Sequence, residues 1–335
     1  MPHPELSIVI VNWNTKDLLR RCVESIATSN IPTPFEVVVI DNASHDESLA
    51  LIRESSSAQS LLAKRQLRIV QNSENLGFGR ANNQAFALTK SPFVFLLNPD
   101  AQVEPDAIEK LLQTIRSNAG IGACGPRILN ADGSTQTSVY FSPPSPWHTF
   151  LWQLKLYLML PGKLRGELLL GRHWTHNRRR DVPMMIGAAL LVRREVIDEV
   201  GGFDEQFEMY SEDHEWCWRM RKSGWRVVFD PSATVTHHGG VSATKRWSNE
   251  EKLRMRLDSG FKFEQLALPR LKLIANQLAN YVVVSTQIVG RQITGGEIGD
   301  LRLIKKIHTE HLKRALKREH RGEPSSDPAH RGVSA

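Results

Sequence analysis

Over its first 130 residues the chain alternates short β-branched runs with longer amphipathic segments, and this alternation constrains the fold more than any other feature. Leu6 to Val11, Phe35 to Ile40, Leu67 to Val70, Phe93 to Leu97 and Ile121 to Cys124 are apolar runs of strand length, the pattern of strands buried on both faces. Between them, Lys16 to Ala27, Glu47 to Glu54, Arg80 to Ala87 and Pro105 to Arg116 read as amphipathic helices. A βαβα order predicts an α/β fold: a Rossmann-like, mainly parallel sheet flanked by helices, with ligands at the carboxyl ends of the strands. Asn12, Asn14, Asp41, Asn42, Asn75 and Asn98 to Asp100 all follow the ends of predicted strands. Polar side chains therefore gather on one rim.

Several function classes fall away. The turn after the first strand reads Asn12-Trp13-Asn14-Thr15 and lacks the G-x-G-x-x-G fingerprint, which disfavours hydride transfer with a dinucleotide. Apolar residues at 41% and charged residues at 24% match a folded globular chain rather than a disordered one or a membrane bundle. Cys22, Cys124 and Cys217 are odd in number, far apart and set in apolar surroundings, so reduced core thiols are expected. No basic region followed by an apolar run precedes Leu6, and no window holds 18 uninterrupted apolar residues. A cytoplasmic location is expected on that basis. The net charge of +7 is concentrated in Lys155 to Arg180 and Arg302 to Arg321. Such patches can meet phosphates of nucleic acid, lipid or a phosphorylated acceptor, and charge alone does not choose among them.

Ordered motifs narrow the choice. Ser7-Ile8-Val9-Ile10-Val11-Asn12-Trp13-Asn14, Val39-Ile40-Asp41-Asn42-Ala43-Ser44, Asn75 to Asn83 and Leu96-Leu97-Asn98-Pro99-Asp100 are followed by Gly187 to Arg193, Gly201-Gly202-Phe203-Asp204-Glu205, Ser211-Glu212-Asp213 and His237-His238-Gly239-Gly240. In this order the chain resembles glycosyltransferase family 2, and within it the rhamnosyltransferase-like branch, over about residues 6–245. The resemblance implies a GT-A fold, a nucleotide-sugar donor, a divalent cation and inversion at the anomeric carbon.

It also implies roles for individual residues. Asp100 stands at the family's metal-binding aspartate, with Asn98 in place of the motif's first carboxylate, and His237 completes the metal shell. Strand alternation lets only one of His237 and His238 face the ion, and His237 is the expected ligand. A carboxylate beside an imidazole suits Mn²⁺ at least as well as Mg²⁺. Asp213 corresponds to the general base that deprotonates the acceptor hydroxyl. Ser211 is expected to cap a helix opening with Glu212 and Asp213, Arg219 to pair with Glu212 two turns on, and Glu212 to raise the pKa of Asp213. Trp216 matches the helix after the acid pair. Asn12, Asp41, Asn83, Asn98, Gly187 and Ala188 are the expected donor-binding residues, with Asp41 at the base or ribose.

The expected organisation is a catalytic domain over residues 1–245, a helical C-terminal region over 246–320 and a disordered tail over 321–335. Within the first, residues 138–181 interleave aromatic residues with Lys155, Lys163, Arg165 and Arg178 to Arg180, as in an acceptor-side or membrane-facing insertion. The resemblance thus implies an inverting transferase that moves a sugar to a hydroxyl of a cell-envelope glycan or lipid-linked glycan, with dTDP-rhamnose as the first expected donor and a UDP-hexose or UDP-galactofuranose as the alternative. It would act at an anionic membrane surface, without nucleic acid, and as a homo-oligomer or a monomer. A catalytically silent nucleotide-sugar-binding or scaffold protein is the alternative from another class, motivated by Asn98.

Overall fold

The computed structural model describes residues 3–140, 146, 151, 155–239 and 247–317. The chain divides into two compact units, Met1–Pro143 with Tyr157–Phe263, and Pro144–Leu156 with Glu264–Ala335.

The first unit opens with β1 (Leu6–Asn12), α1 (Lys16–Ala27), β2 (Phe35–Asp41), α2 (Ser48–Glu54), α3 (Ser56–Ala63), β3 (Leu67–Gln71), α4 (Phe78–Leu88) and β4 (Phe93–Leu97). It continues through β5 (Ala101–Val103), α5 (Ala107–Arg116), β6 (Ile121–Leu129), β7 (Val139–Tyr140), α6 (Gly162–Leu169), β8 (Arg180–Asp181), β9 (Met184–Met185) and β10 (Ala189–Arg193). It closes with α7 (Arg194–Val200), α8 (Glu212–Lys222), β11 (Arg226–His237) and most of α9 (Asn249–Ala267); α10 (Arg270–Ile293) and α11 (Gly299–Lys317) belong to the second unit.

The main sheet has the order β3-β2-β1-β4-β10-β6-β11-β5, with β8 also paired to β11. Strands β3, β2, β1 and β4 run parallel, as the sequence predicts, and β6 and β11 are parallel to each other. Strand β10 enters antiparallel between β4 and β6. All seven residues of β1 are buried, because helices cover the sheet. Leu19, Cys22, Val23 and Ile26 of α1 share one helical face and join Leu6, Ile8, Ile10, Ile108, Leu111 and Ile115 in the core. Each fully buried side chain of this size contributes about 1.5–3 kcal/mol.

Cys22, Cys124 and Cys217 are all buried free thiols. Burial pushes the Cys217 thiol up to about 12 and raises the other two as well, so none of the three supplies a thiolate nucleophile.

One expectation about the flanks changes. Arg178, Arg179 and Arg180 are not free cations: Arg178 and Arg180 pair with Glu167, and Arg179 pairs with the buried Asp230 at 2.8 Å. Trp174, near them, is buried against Phe229 with ring centroids 4.9 Å apart. This part of the 138–181 segment packs on the sheet through the pairing of β8 with β11 and through Arg179 on Asp230, while Arg178 and Arg180 are held within the segment by Glu167 of α6. Trp147, Phe150, Trp152, Leu154, Gly240 and the 321–335 tail lie outside the described residues. The boundary between the two units falls inside α9. Ser259 donates to the Met209 carbonyl at 2.7 Å, and Phe263 packs edge-on to Trp218, so α9 up to Phe263 packs within the first unit.

Candidate active site

Strand pairing builds the first corner of the site. The chain turns at Asn98–Asp100 after β4, with the Ala101 N–H donating to the Asn98 carbonyl, and β5 then pairs antiparallel with the end of β11. The register sets Ala101 opposite His237. His237 Nε2 consequently lies 3.2 Å from Asp100 Oδ1 and 3.2 Å from Asn98 Nδ2. His238 points the other way, to Gln102 Nε2 at 3.1 Å, as alternation along a strand requires.

A residue the sequence did not single out sets the state of the His237 ring. Gln136 commits its amide nitrogen to Asn130 Oδ1 and to the His237 carbonyl, so its oxygen faces His237 Nδ1 at 2.7 Å. Nδ1 then carries the proton, and Nε2 presents its lone pair beside the Asp100 carboxylate. Neighbouring imidazole and carboxylate lone pairs are the arrangement that a divalent cation resolves, with Gln136 as the outer partner that orients the ring. Among the described residues no three His, Cys, Asp or Glu side chains cluster into a complete metal cage. Asp100 and His237 would therefore share an ion with the Asn98 amide, water and ligand oxygens. One or two protein ligands plus phosphate is usual for Mg²⁺ in phosphate-handling sites, and an imidazole ligand also suits Mn²⁺. The residues fit such an ion.

The second corner is the start of α8. Asp213 Oδ2 accepts the Gly187 N–H at 2.9 Å, and its Oδ1 accepts the His214 N–H at 2.8 Å. The next residue, Ala188, accepts the Asn98 N–H at its carbonyl at 2.9 Å. Two consecutive residues leading into β10 thus hold both the acid of α8 and the turn after β4. Tyr140 and His214, which the sequence also did not single out, lie beside Asp213 with ring centroids 4.8 Å apart. Burial, followed by the Asp213 charge, raises the Tyr140 hydroxyl pKa.

The details of α8 differ from expectation. Ser211 makes no side-chain cap; it has φ +65°, and Tyr210 before it has φ +66°. Two consecutive non-glycine residues in the left-handed region are a strained way to enter a helix. Arg219 pairs with Glu215, not Glu212, through two bonds of 2.6 and 2.8 Å, because residues four apart are neighbours on a helix and residues seven apart are two turns away. Arg219 also donates to the carbonyls of Val200 and Gly202. Glu212 is buried, and its Oε2 has no hydrogen-bond partner among the described residues. Burial and then the Asp213 charge push Glu212 up to about 8.

The other expected residues sit around this centre in supporting positions. Asn12 is buried and spends its amide nitrogen on Asp41 Oδ1 at 2.7 Å and Ser44 Oγ at 3.0 Å. Asp41 Oδ2 accepts the Ser44 N–H. Asn83 is occupied on both sides, accepting from Phe203 N–H at 2.8 Å and donating to the Phe203 carbonyl at 2.9 Å. It pins the 201–205 loop. Trp216 is fully buried, donates to the Gly201 carbonyl and packs on Phe203 and Phe86.

Comparison with known proteins identifies the family. The model described as Glycosyl transferase family 2 matches residues 7–201, and that of Glycosyl transferase family 21 matches residues 174–285. The N-acetylglucosaminyl-diphospho-decaprenol L-rhamnosyltransferase of Mycobacterium tuberculosis is 29% identical over 70% of this chain and 76% of that protein. The low-salt glycan biosynthesis hexosyltransferase Agl10 of Haloferax volcanii is 25% identical over 72% and 69%. Among solved structures, the mannosyltransferase PcManGT from Pyrobaculum calidifontis, in complex with GDP-Man and Mn2+, superposes with a TM-score of 0.56. That match has 16% identity and covers 94% of this chain and 86% of that one. The likeness shows the expected GT-A-type fold, and the family match covers well over half of the chain: this protein is a glycosyltransferase and belongs to glycosyl transferase family 2.

Proposed function

We propose that this enzyme transfers a sugar, with L-rhamnose from dTDP-rhamnose as the leading donor, to a hydroxyl of a cell-envelope glycan or lipid-linked glycan, with inversion at the anomeric carbon. The observation that carries the reading is the Gly187–Ala188 step, whose N–H holds Asp213 and whose carbonyl holds the Asn98 turn. A base and a cation-binding corner on consecutive backbone units are what a one-step displacement needs. The rhamnosyltransferase relative, whose name includes a decaprenol-linked substrate, supports the donor and the acceptor class.

In this reading Asp100, His237 and the Asn98 amide hold Mn²⁺ or Mg²⁺. When bound, that ion neutralises charge on the departing diphosphate. Asp213 accepts the proton of the acceptor hydroxyl. The acceptor oxygen forms its bond to the anomeric carbon as the bond from that carbon to the diphosphate breaks, and the nucleoside diphosphate leaves with the electron pair. Asn12 acts by fixing Asp41 against the nucleoside, and Asn83 by fixing the 201–205 loop. Gly187 and Ala188 leave room for the sugar.

The test pairs a thermal-shift screen of nucleotide sugars, with and without Mn²⁺, with turnover of Asp213→Asn. A preferred donor raises the unfolding temperature by mass action. The variant should keep that shift while losing transfer by roughly 10² or more, the scale of a lost general base. A larger shift with a UDP-hexose would move the donor assignment. No shift with any nucleotide sugar, or wild-type turnover by the folded variant, would refute the mechanism.

A further inference from the structure

Helix α10 is amphipathic in both directions. Leu273, Asn276, Gln277, Ala279, Asn280, Val283 and Val284 are buried, and α11 offers Ile307, His308, His311 and Ala315 as its own buried face. On the opposite side, Leu271, Leu278, Val282, Val289 and Ile293 are exposed, Leu271 and Ile293 to 80%. Ala275 and Thr286 complete the row. At 3.6 residues per turn these seven positions fall within an arc of roughly 80° along the whole helix. An apolar row this long on a 24-residue helix calls for a partner.

Charge identifies that partner. Helix α10 carries Arg270, Lys272 and Arg291 and has no Asp or Glu, so it offers none of the complementary flanking charges that select a coiled-coil partner. Arg270 and Arg291 donate to backbone carbonyls, those of Leu316 and Glu297, and neither forms an ion pair with a carboxylate among the described residues. Helix α11 adds exposed Arg302, Lys306, Lys313, Arg314 and Lys317. No described helix is long and apolar enough to cross a membrane, so α10 would lie on a bilayer rather than span it.

We propose that the exposed face of α10 is the docking surface for an anionic lipid bilayer, with Leu271, Leu278, Val282, Val289 and Ile293 entering the interface, Lys272 at the edge of the row meeting headgroups, and the nine Lys and Arg of α10 and α11 against Asp300 and Glu310 favouring an anionic surface over a second copy. The proposal rests on the lipid-linked acceptor reading for its purpose. Its test uses neither donor nor acceptor, so the failure of one is distinguishable from the failure of the other.

The experiment is co-sedimentation of the full chain with phosphatidylcholine vesicles, with and without phosphatidylglycerol, across a salt series. Sedimentation velocity without lipid runs alongside. Wild type should bind the anionic vesicles at least about tenfold more tightly than the neutral ones and lose that advantage as salt rises. Leu278→Ser/Val282→Ser/Val289→Ser should lose about tenfold or more on anionic vesicles, and Lys272→Gln should lower only the anionic advantage. Unchanged unfolding temperature and donor-induced shift would establish that both variants remain folded. Equal binding to both vesicle types, or wild-type vesicle binding by the folded serine variant, would overturn the proposal. So would a lipid-independent dimer that the serine substitutions split, since the occupant would then be a second copy of the chain.

Discussion

The acid pair at the start of α8 makes a prediction that does not depend on substrate. Glu212 is buried, and its pKa is pushed up to about 8, chiefly by burial and then by Asp213, against an ordinary value of 4.5. The folded protein therefore holds a proton that the unfolded chain has already released. The contribution of this group to stability is complete below about pH 4.5 and is lost progressively as pH rises to about 8. In that window one extra bound proton corresponds to a slope of about 1.4 kcal/mol per pH unit. Glu212→Gln keeps the shape and removes the titration, so its stability relative to wild type should rise by about 3 kcal/mol between pH 5 and 7. Urea unfolding of both proteins at intermediate pH values measures this directly, because every other titrating group is common to the two. Curves that stay parallel within about 0.5 kcal/mol, the usual spread for an uncoupled substitution, would mean that Glu212 is ionised in the folded protein. The account of the acid pair would then be wrong.

Two further outcomes follow from single contacts. Gln136→Leu removes the acceptor on His237 Nδ1 and should weaken Mn²⁺ binding about 10–100-fold, as loss of an outer-sphere partner typically does, whereas His238→Ala should change it little; a calorimetric titration of Mn²⁺ with donor nucleotide present compares the two. Gly202→Ala places a Cβ 2.1 Å from Asn83 Oδ1 and 3.2 Å from the Phe86 ring, so it should cost about 1–3 kcal/mol of stability by overcrowding, and thermal unfolding equal to wild type would show that the loop gives way freely.

The five strands predicted from apolar runs are all present, and three of them extend to the polar residue that ends the run: Asn12, Asp41 and Gln71 pair as strand residues. Those positions were legible because a strand buried on both faces has a signature that needs no partner to be known. Strand β5 was not legible. Ala101–Val103 is too short to carry a pattern and is a strand only because β11 pairs with it. The same pairing sets His237 rather than His238 beside Asp100; alternation required that only one of the two face that corner, and the resemblance, not alternation, pointed to His237. Gln136 could not have been found from spacing, since it lies 101 residues from His237 and carries no local signal. Arg219 was misassigned because helical periodicity offers both Glu212 and Glu215 as neighbours by face. Distance along the helix separates them: Glu215 is one turn from the guanidinium and meets it, while Glu212, two turns away, is left with one oxygen unpaired.

The antiparallel entry of β10 accounts for the role of Gly187. A doubly wound sheet built from parallel strands alone delivers helix starts and loops to one rim. Strand β10 runs the other way and so delivers the residues before its first position, Gly187 and Ala188, to the end of the sheet where β4 finishes. A Cβ at position 187 would meet Asp213 Cβ at 3.5 Å and the Phe78 ring at 3.7 Å. These are ordinary contacts, so the protein alone would accept alanine there. What glycine leaves is space beside the carboxylate, while its N–H still orients that carboxylate. The fold does not require the missing side chain, but a sugar ring bound against Asp213 would, so Gly187→Ala should leave stability nearly intact and fall mainly on donor or acceptor binding.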